Sequence, residues 1–339
     1  MPVLTLNDIL VVVAGLCTVA LLRWRSWSRS HPRLIIEQLF LYPIKGLRPL
    51  SAHSLELAAL GFKHDRRFIL VSPAKDGSHE CHLAATYPSH ALLRQSIDST
   101  AKTLTITPPS PDDSPLAVPL SPPTAGLTAV KVDLHSSPTL AYDLGDDAAA
   151  FFTRHSDGKE TRLVYLDEGA SANRKVLGSI ALGADESIAF QDCASYMIAS
   201  SSSLAAFSQA LGRDMPIEPL RPNIVVGPAK PGGLKPWAED WWKELRVEGK
   251  NACSEFRITS NCVRCISLNI DYDTGKRLEG TGLPLQALAK SRRVDSGSYS
   301  PVFGRYAFST DVGHVVSVGD KAAVTALYKQ RTTFSWPGM

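Results

Sequence analysis

Between Asn223 and Gly319 the chain returns again and again, at close spacing, to short runs rich in β-branched and aromatic residues: NIVVG, LRVEG, EFRITS, CISLNI and HVVSVG. Such side chains suit the pleated, half-buried surface of a strand, and short strands at this spacing predict a barrel or a sandwich. No arrangement of helices satisfies the pattern. Upstream, RLIIEQLFLYPI (Arg33 to Ile44), RRFILV (Arg66 to Val71), KTLTI (Lys102 to Ile106), PTLAYDL and RLVYL repeat it. Three stretches read as helices: GDDAAAFFTRH, SSSSLAAFSQALG with hydroxyl caps in front and a glycine stop behind, and PLQALAKSRR. The expected fold class is therefore α+β and β-rich.

A length of 339 residues points to about two domains, and a hydrophobic fraction of 44% is ample for packed cores. We expect one β-rich domain over 31–168 and a second over 169–339. Within the first, residues 107–124 are crowded with Pro, Ser and Asp, which predicts a solvent loop or insertion. The net charge of +3 is mild and unconcentrated, so no nucleic-acid partner is expected.

The first 30 residues have their own pattern. Ile9 to Leu22 is an unbroken apolar run, which counted from Val3 is interrupted only by Asn7 and Asp8 and reaches about 20 residues, roughly a bilayer span. Arg23, Arg25, Arg29 and Arg33 follow, with Trp24 and Trp27 among them. A basic and aromatic flank after the apolar run predicts an uncleaved membrane anchor over residues 1–30, with everything beyond it in the cytosol. A secretory signal carries its positive charge before the apolar core instead.

Chemistry concentrates in SNCVRCISLNIDYDTG (Ser260 to Gly275). Six cysteines at 17, 81, 193, 253, 262 and 265 follow no disulfide framework. One CxxC supplies half of a structural zinc site, and CVRCISLNI continues into β-type residues rather than the helix that a thioredoxin-like pair opens. Arg264 beside Cys265 favours the thiolate, the form that ligates soft metals or attacks. Zinc, redox pair and metal thiolate all stay open on the residues alone. There is no glycine-rich phosphate loop, HExxH, GxSxG or second CxxC. The tryptophans of PWAEDWWKEL are expected to pack, Asp240 to cap or pair, and DYDTG to make a turn.

Taken together, LYPIKGLRPLSAHSLELAALGFKHDRRFILV, RPNIVV, PWAEDWWKEL, CVRCISLNIDYDTG, SPVFGRYAF and HVVSVGD resemble the MOSC-domain proteins, and within them the membrane-anchored mitochondrial amidoxime-reducing components. The resemblance runs from Leu34 to about Val324. It implies an N-terminal MOSC β-barrel-type domain and a C-terminal MOSC β-barrel domain, preceded by one transmembrane helix. It further implies a molybdenum cofactor whose metal is held by Cys265, the catalytic residue. Lys45, Gly46, Arg67, Arg221, Asn223, Val263, Arg264 and Tyr306 would bind the pterin and its phosphate. Cys262 is left without assigned chemistry.

The implied activity is reduction of small N-hydroxylated substrates, amidoximes and hydroxylamines, at a mitochondrial outer membrane or the ER. The chain holds no haem-attachment CxxCH, ferredoxin-type cysteine run or dinucleotide fingerprint. Its electrons would come from a b-type cytochrome and an NADH-dependent flavin reductase. Two alternatives follow from the same resemblance: a sulfur carrier with a Cys265 persulfide, and an inactive anchored scaffold. In cofactor sulfurases the MOSC domain accompanies a pyridoxal-phosphate desulfurase domain, for which this chain has no room. Three positions depart from the family pattern: Gly46 stands where serine is common, Ala85 where arginine is, and Ala194 where a hydroxyl is.

Overall fold

In a computed structural model of the protein, residues 33–75, 78–167, 174–181 and 186–337 are described. The expected anchor over residues 1–30 lies outside them; among the described residues no helix is long and apolar enough to cross a membrane.

The predicted barrel is present. Seven strands build it: β1 (Arg33–Leu41), β2 (Tyr196–Ser200), β3 (Ile224–Pro228), β4 (Trp242–Glu248), β5 (Cys253–Val263), β6 (Val302–Phe308) and β7 (Lys321–Leu327). They pair in the order β3-β2-β6-β5-β4-β7-β1, and β1 also pairs with β3, which closes the sheet on itself. Closure leaves these strands no open edge of unpaired backbone groups. All neighbours run antiparallel except β2 and β3. A parallel pair needs a crossover, and helix α2 (Ser201–Leu211) supplies it. The Ser200 hydroxyl accepts from the Ser203 N–H at its start, and Gly212 ends it at φ 76°, as the sequence predicts.

The opening strand shows how sequence sets register. Leu34, Ile36, Leu39 and Leu41 all join the barrel core, although a strict alternation would put the last two outside. A register shift between Ile36 and Gln38 inserts the extra residue that turns them back in. Gly227, which pairs with Ile35 just before the shift, leaves room for the bulged residue: a Cβ there would stand 1.7 Å from the Glu37 carboxylate.

Because β1 is part of the barrel, hydrogen bonding crosses the expected divide at 168/169. The strand Ser54–Ala58 likewise pairs with Val315–Ser317. Residues 33–62 thus interlock the two halves. The remainder of the first half forms a five-stranded antiparallel sheet and a three-stranded one, with helix α1 (Asp146–Arg154) beside them.

Two local expectations need correction. The Pro-rich stretch is not all loop: Leu116–Pro119 pairs along Thr103–Thr107 as an edge strand, with Val118 and Leu120 buried in the core. Proline is tolerated there because an edge strand leaves one side of its backbone unpaired. CISLNI is not a continuous strand either. β5 ends at Val263, Ile266–Asn269 makes one 3-10 turn, and only Ile270–Asp271 resumes β pairing.

Candidate functional site

Leaving β1, the chain turns sharply through Tyr42 to Leu47, and Lys45 is carried into the interior. Its backbone N–H donates to the Phe68 carbonyl at 2.8 Å, and its ammonium donates to Asp192 Oδ1. Burial lowers the lysine's pKa, which Asp192 offsets only in part. Burial also opposes ionisation of Asp192, yet Lys45 and His135 outweigh it and hold that carboxyl well below its ordinary range. Gly46 follows at φ +94°, a conformation in which serine, the residue common in the family pattern, would be strained.

The Tyr42 ring lies between two guanidinium groups, Arg66 at 4.3 Å and Arg221 at 4.5 Å from its centroid. Arg66 has ionic compensation, donating to Asp65 Oδ2 at 2.5 Å and to Asn223 Oδ1 at 3.1 Å. Arg221 has no carboxylate within hydrogen-bonding reach, and the Asp192 charge acts on it only through space. It donates to the Leu47 carbonyl at 2.9 Å and to the Tyr272 hydroxyl at 3.1 Å, and its Nη2 is buried without a partner.

At the end of β5 the two thiols of the CxxC separate. Cys262 is buried and accepts from Arg264 Nη1 at 2.9 Å; Arg264 Nη2 donates to the Pro219 carbonyl at 3.2 Å, and Arg264 Nε is buried and unpartnered. Cys265 is exposed, its Sγ 3.1 Å from Ser267 Oγ. The guanidinium therefore bonds the first cysteine rather than its neighbour. Behind them Tyr306 is buried within hydrogen-bonding reach of Cys262 and Cys193. Burial, then the adjacent thiols, raise the Tyr306 pKa well above its usual value, so the phenol stays protonated. Val263 closes β5 opposite Val302.

The structure thus gathers Lys45, Gly46 and Arg221 around Asp192 and the Tyr42 turn, and brings Val263, Arg264, Cys265 and Tyr306 together at the end of β5. Two anticipated residues are engaged elsewhere. Arg67 donates to the Leu166 carbonyl through Nε at 3.0 Å, and it is Arg66 that joins Arg221. Asn223 spends both amide atoms on the scaffold: Oδ1 accepts from Arg66 and Met197 N–H, and Nδ2 donates to the Phe40 carbonyl. Ala194 places its methyl in an apolar cluster, and the Ala85 carbonyl accepts from Arg277.

Sequence reasoning missed Arg66, Tyr42, Asp192 and His135. Tyr42 and Arg66 lie inside the quoted YPIKG and DRRF stretches, where alternation along the chain could have separated Arg66 from Arg67. Asp192 and His135 carried no local signal. His135 reaches the site from a two-residue hairpin turn in which both His135 and Ser136 have positive φ, 58° and 62°. Among the described residues no group of three or more His, Cys, Asp or Glu is placed to hold a metal ion. Any metal here would need ligands beyond the protein.

Comparison with known families gives two adjacent matches. The MOSC N-terminal beta barrel domain family matches residues 33–156, and the MOSC domain family matches residues 185–323, the stretch holding five of the seven barrel strands whole and the start of a sixth. The chain is a MOSC protein. It resembles mitochondrial amidoxime-reducing component 1 of Mus musculus, at 25% identity over 327 residues, 91% of this chain and 90% of the relative. The same protein of Homo sapiens is 27% identical over 91% of each chain. Mitochondrial amidoxime reducing component 2 of Macaca fascicularis is 29% identical, again over 91% of each. In these relatives the similarity spans both domains of this MOSC protein.

Proposed function

We propose that this MOSC protein is a molybdenum-cofactor-dependent oxidoreductase that reduces N-hydroxylated compounds, amidoximes and hydroxylamines among them. The observation that carries the reading is uncompensated charge. Arg264 is buried and Arg221 half-buried, neither has a carboxylate within hydrogen-bonding reach, and each retains a buried N–H without a partner. A buried cation left in this state is costly, and an anion in hydrogen-bonding reach offsets the cost. The phosphate and dithiolene of a molybdenum–pterin group are anionic, and the exposed thiol of Cys265 is a soft ligand. The residues fit the group.

In this reading Cys265 ligates the metal, and Lys45, Arg221 and Arg264 hold the phosphate. The open backbone at Gly46 and the end of β5 at Val263 line the pterin. Arg67 and Asn223 hold the surrounding main chain through the carbonyls of Leu166 and Phe40. When bound, the cofactor would supply the two-electron reduction chemistry. The protein's own part is positional: it fixes the ligand thiol at a strand end and keeps the Tyr306 phenol protonated behind it. Ser267, beside Cys265, offers the nearest hydroxyl to the thiol.

Electrons would come from a b-type cytochrome fed by an NADH-dependent flavin reductase. Residues 1–30 would anchor the chain to a membrane, facing the cytosol, and the curated relatives' names favour mitochondria. A shared membrane raises the effective concentration of donor and acceptor. The test is turnover: protein from a cofactor-competent host, given a benzamidoxime and a reduced b-type cytochrome, should release the amidine. A molybdenum-loaded protein that leaves amidoximes and hydroxylamines untouched would contradict the reading.

A further inference from the structure

Asp192 Oδ1 accepts from two donors at once, the Lys45 ammonium and His135 Nε2, the latter at 3.2 Å. The two donors are unlike in freedom. Lys45 is a flexible ammonium on a four-carbon stem, while the imidazole stands on a main chain that is pinned. The His135 carbonyl accepts from the Trp336 indole N–H at 2.9 Å, and Trp336 is buried. The tail bearing Trp336 is itself tightly seated: a Cβ on Gly178 would stand 1.9 Å from the Ser335 carbonyl oxygen. Asp192 is fixed from its own backbone as well, since Arg174 Nη1 donates to the Gln191 carbonyl at 2.6 Å. Its side chain is nevertheless 45% exposed, so one face of the carboxylate is open to exchange of partners.

From this arrangement we infer that Asp192 is an internal counter-anion, which occupies Lys45 until an incoming anion takes the ammonium over, and that His135, braced by Trp336, keeps Asp192 paired after the exchange. The inference rests on the reading of Lys45 as an anion grip. It adds that the grip is regulated: the unloaded protein competes with its own ligand. A carboxylate stripped of its ammonium partner would otherwise keep only the water on its open face, a loss of a charge-assisted hydrogen bond that would oppose loading. His135 removes that cost.

The test uses the full-length chain in detergent, purified without cofactor, and calorimetric binding of inorganic pyrophosphate. Asp192→Asn keeps an acceptor but deletes the competing charge, and should bind about tenfold tighter than the parent. His135→Ala should bind about three- to tenfold weaker, with Trp336→Phe, which keeps the ring but loses the N–H, shifted the same way by less. The gain in Asp192→Asn should vanish in the Lys45→Met/Asp192→Asn double variant. A merely structural ion pair predicts the opposite sign for Asp192→Asn. Equal or weaker binding by that variant, a gain that survives loss of Lys45, or His135→Ala binding as tightly as the parent would overturn the inference. If Asp192→Asn does not fold, the His135 and Trp336 arms decide. The expected order of affinities in a chain that never acquires molybdenum would uphold the counter-anion and count against the cofactor reading alone.

Discussion

Two arginine clusters occupy this protein, and they are built on opposite principles. Around Asp240, Arg292 donates through Nη1 and Nη2 at 3.0 and 2.7 Å, and Arg331 adds a third contact at 3.3 Å. Arg305 donates to the Asp240 carbonyl and to Asn261 Oδ1; it keeps unpartnered N–H groups, but the Asp240 charge stands beside it. Around Tyr42 and Cys262, by contrast, Asp65 answers Arg66 and Asp192 answers Lys45, while Arg221 and Arg264 have only carbonyls, a phenol and a thiol. The first cluster is complete in the sense that a carboxylate in direct contact balances it, and it belongs to the fold. The second lacks such a contact at Arg221 and Arg264 and leaves donors open to an anion from outside, as a binding site would.

Breaking the complete cluster should have the largest effect. Asp240→Ala leaves two buried arginines without their carboxylate and should cost about 3–5 kcal/mol in urea unfolding. A smaller and pH-dependent effect comes from the residue before it. Burial pushes the Glu239 carboxyl up to about 7, with Ser203 opposing. A carboxyl raised on folding contributes stability that is intact below its unfolded pKa and is lost as pH rises through the folded one. Glu239→Gln should therefore be neutral near pH 4 and stabilising by up to about 3 kcal/mol at pH 8, read as a pH-dependent shift in Tm. A flat difference across that range would remove burial as the cause.

The second cluster should respond in the contrary way. Arg221→Met deletes a half-buried charge that no carboxylate contacts, so the metal-free protein should change stability by less than about 1.5 kcal/mol while its hold on pyrophosphate weakens at least several-fold. Equal large losses for Asp240→Ala and Arg221→Met would erase the distinction between the clusters. A comparably modest effect belongs to Gly46→Ala, which forces a side chain into positive φ at +94° and should cost about 1–2 kcal/mol in thermal unfolding.

Much of this was legible in the residues, and the reasons are local. Strand runs such as NIVVG and EFRITS became β3 and β5, and SSSSLAAFSQALG became α2 with its caps where hydroxyl and glycine chemistry put them. CISLNI misled because its apolar residues suit a strand, while the chain must turn after Val263 to leave the barrel. Leu116–Pro119 was hidden by prolines that an edge position tolerates. The site was half legible. Cys265, Lys45 and Arg221 stand in motifs that read in one dimension. Asp192, His135 and Trp336 meet only through long-range contacts, and no spacing announces them. Arg66 and Arg67 are adjacent in sequence and differ only in which acceptor each finds, a choice the fold makes.

The claim that the incomplete cluster and the exposed thiol together form a cofactor site is tested most directly by elemental analysis. Protein made in a cofactor-competent host should carry near-stoichiometric molybdenum, Cys265→Ser should carry almost none, and Cys262→Ala should retain most of it. Metal-free parent protein from such a host, or loss of metal in Cys262→Ala with retention in Cys265→Ser, would contradict the account.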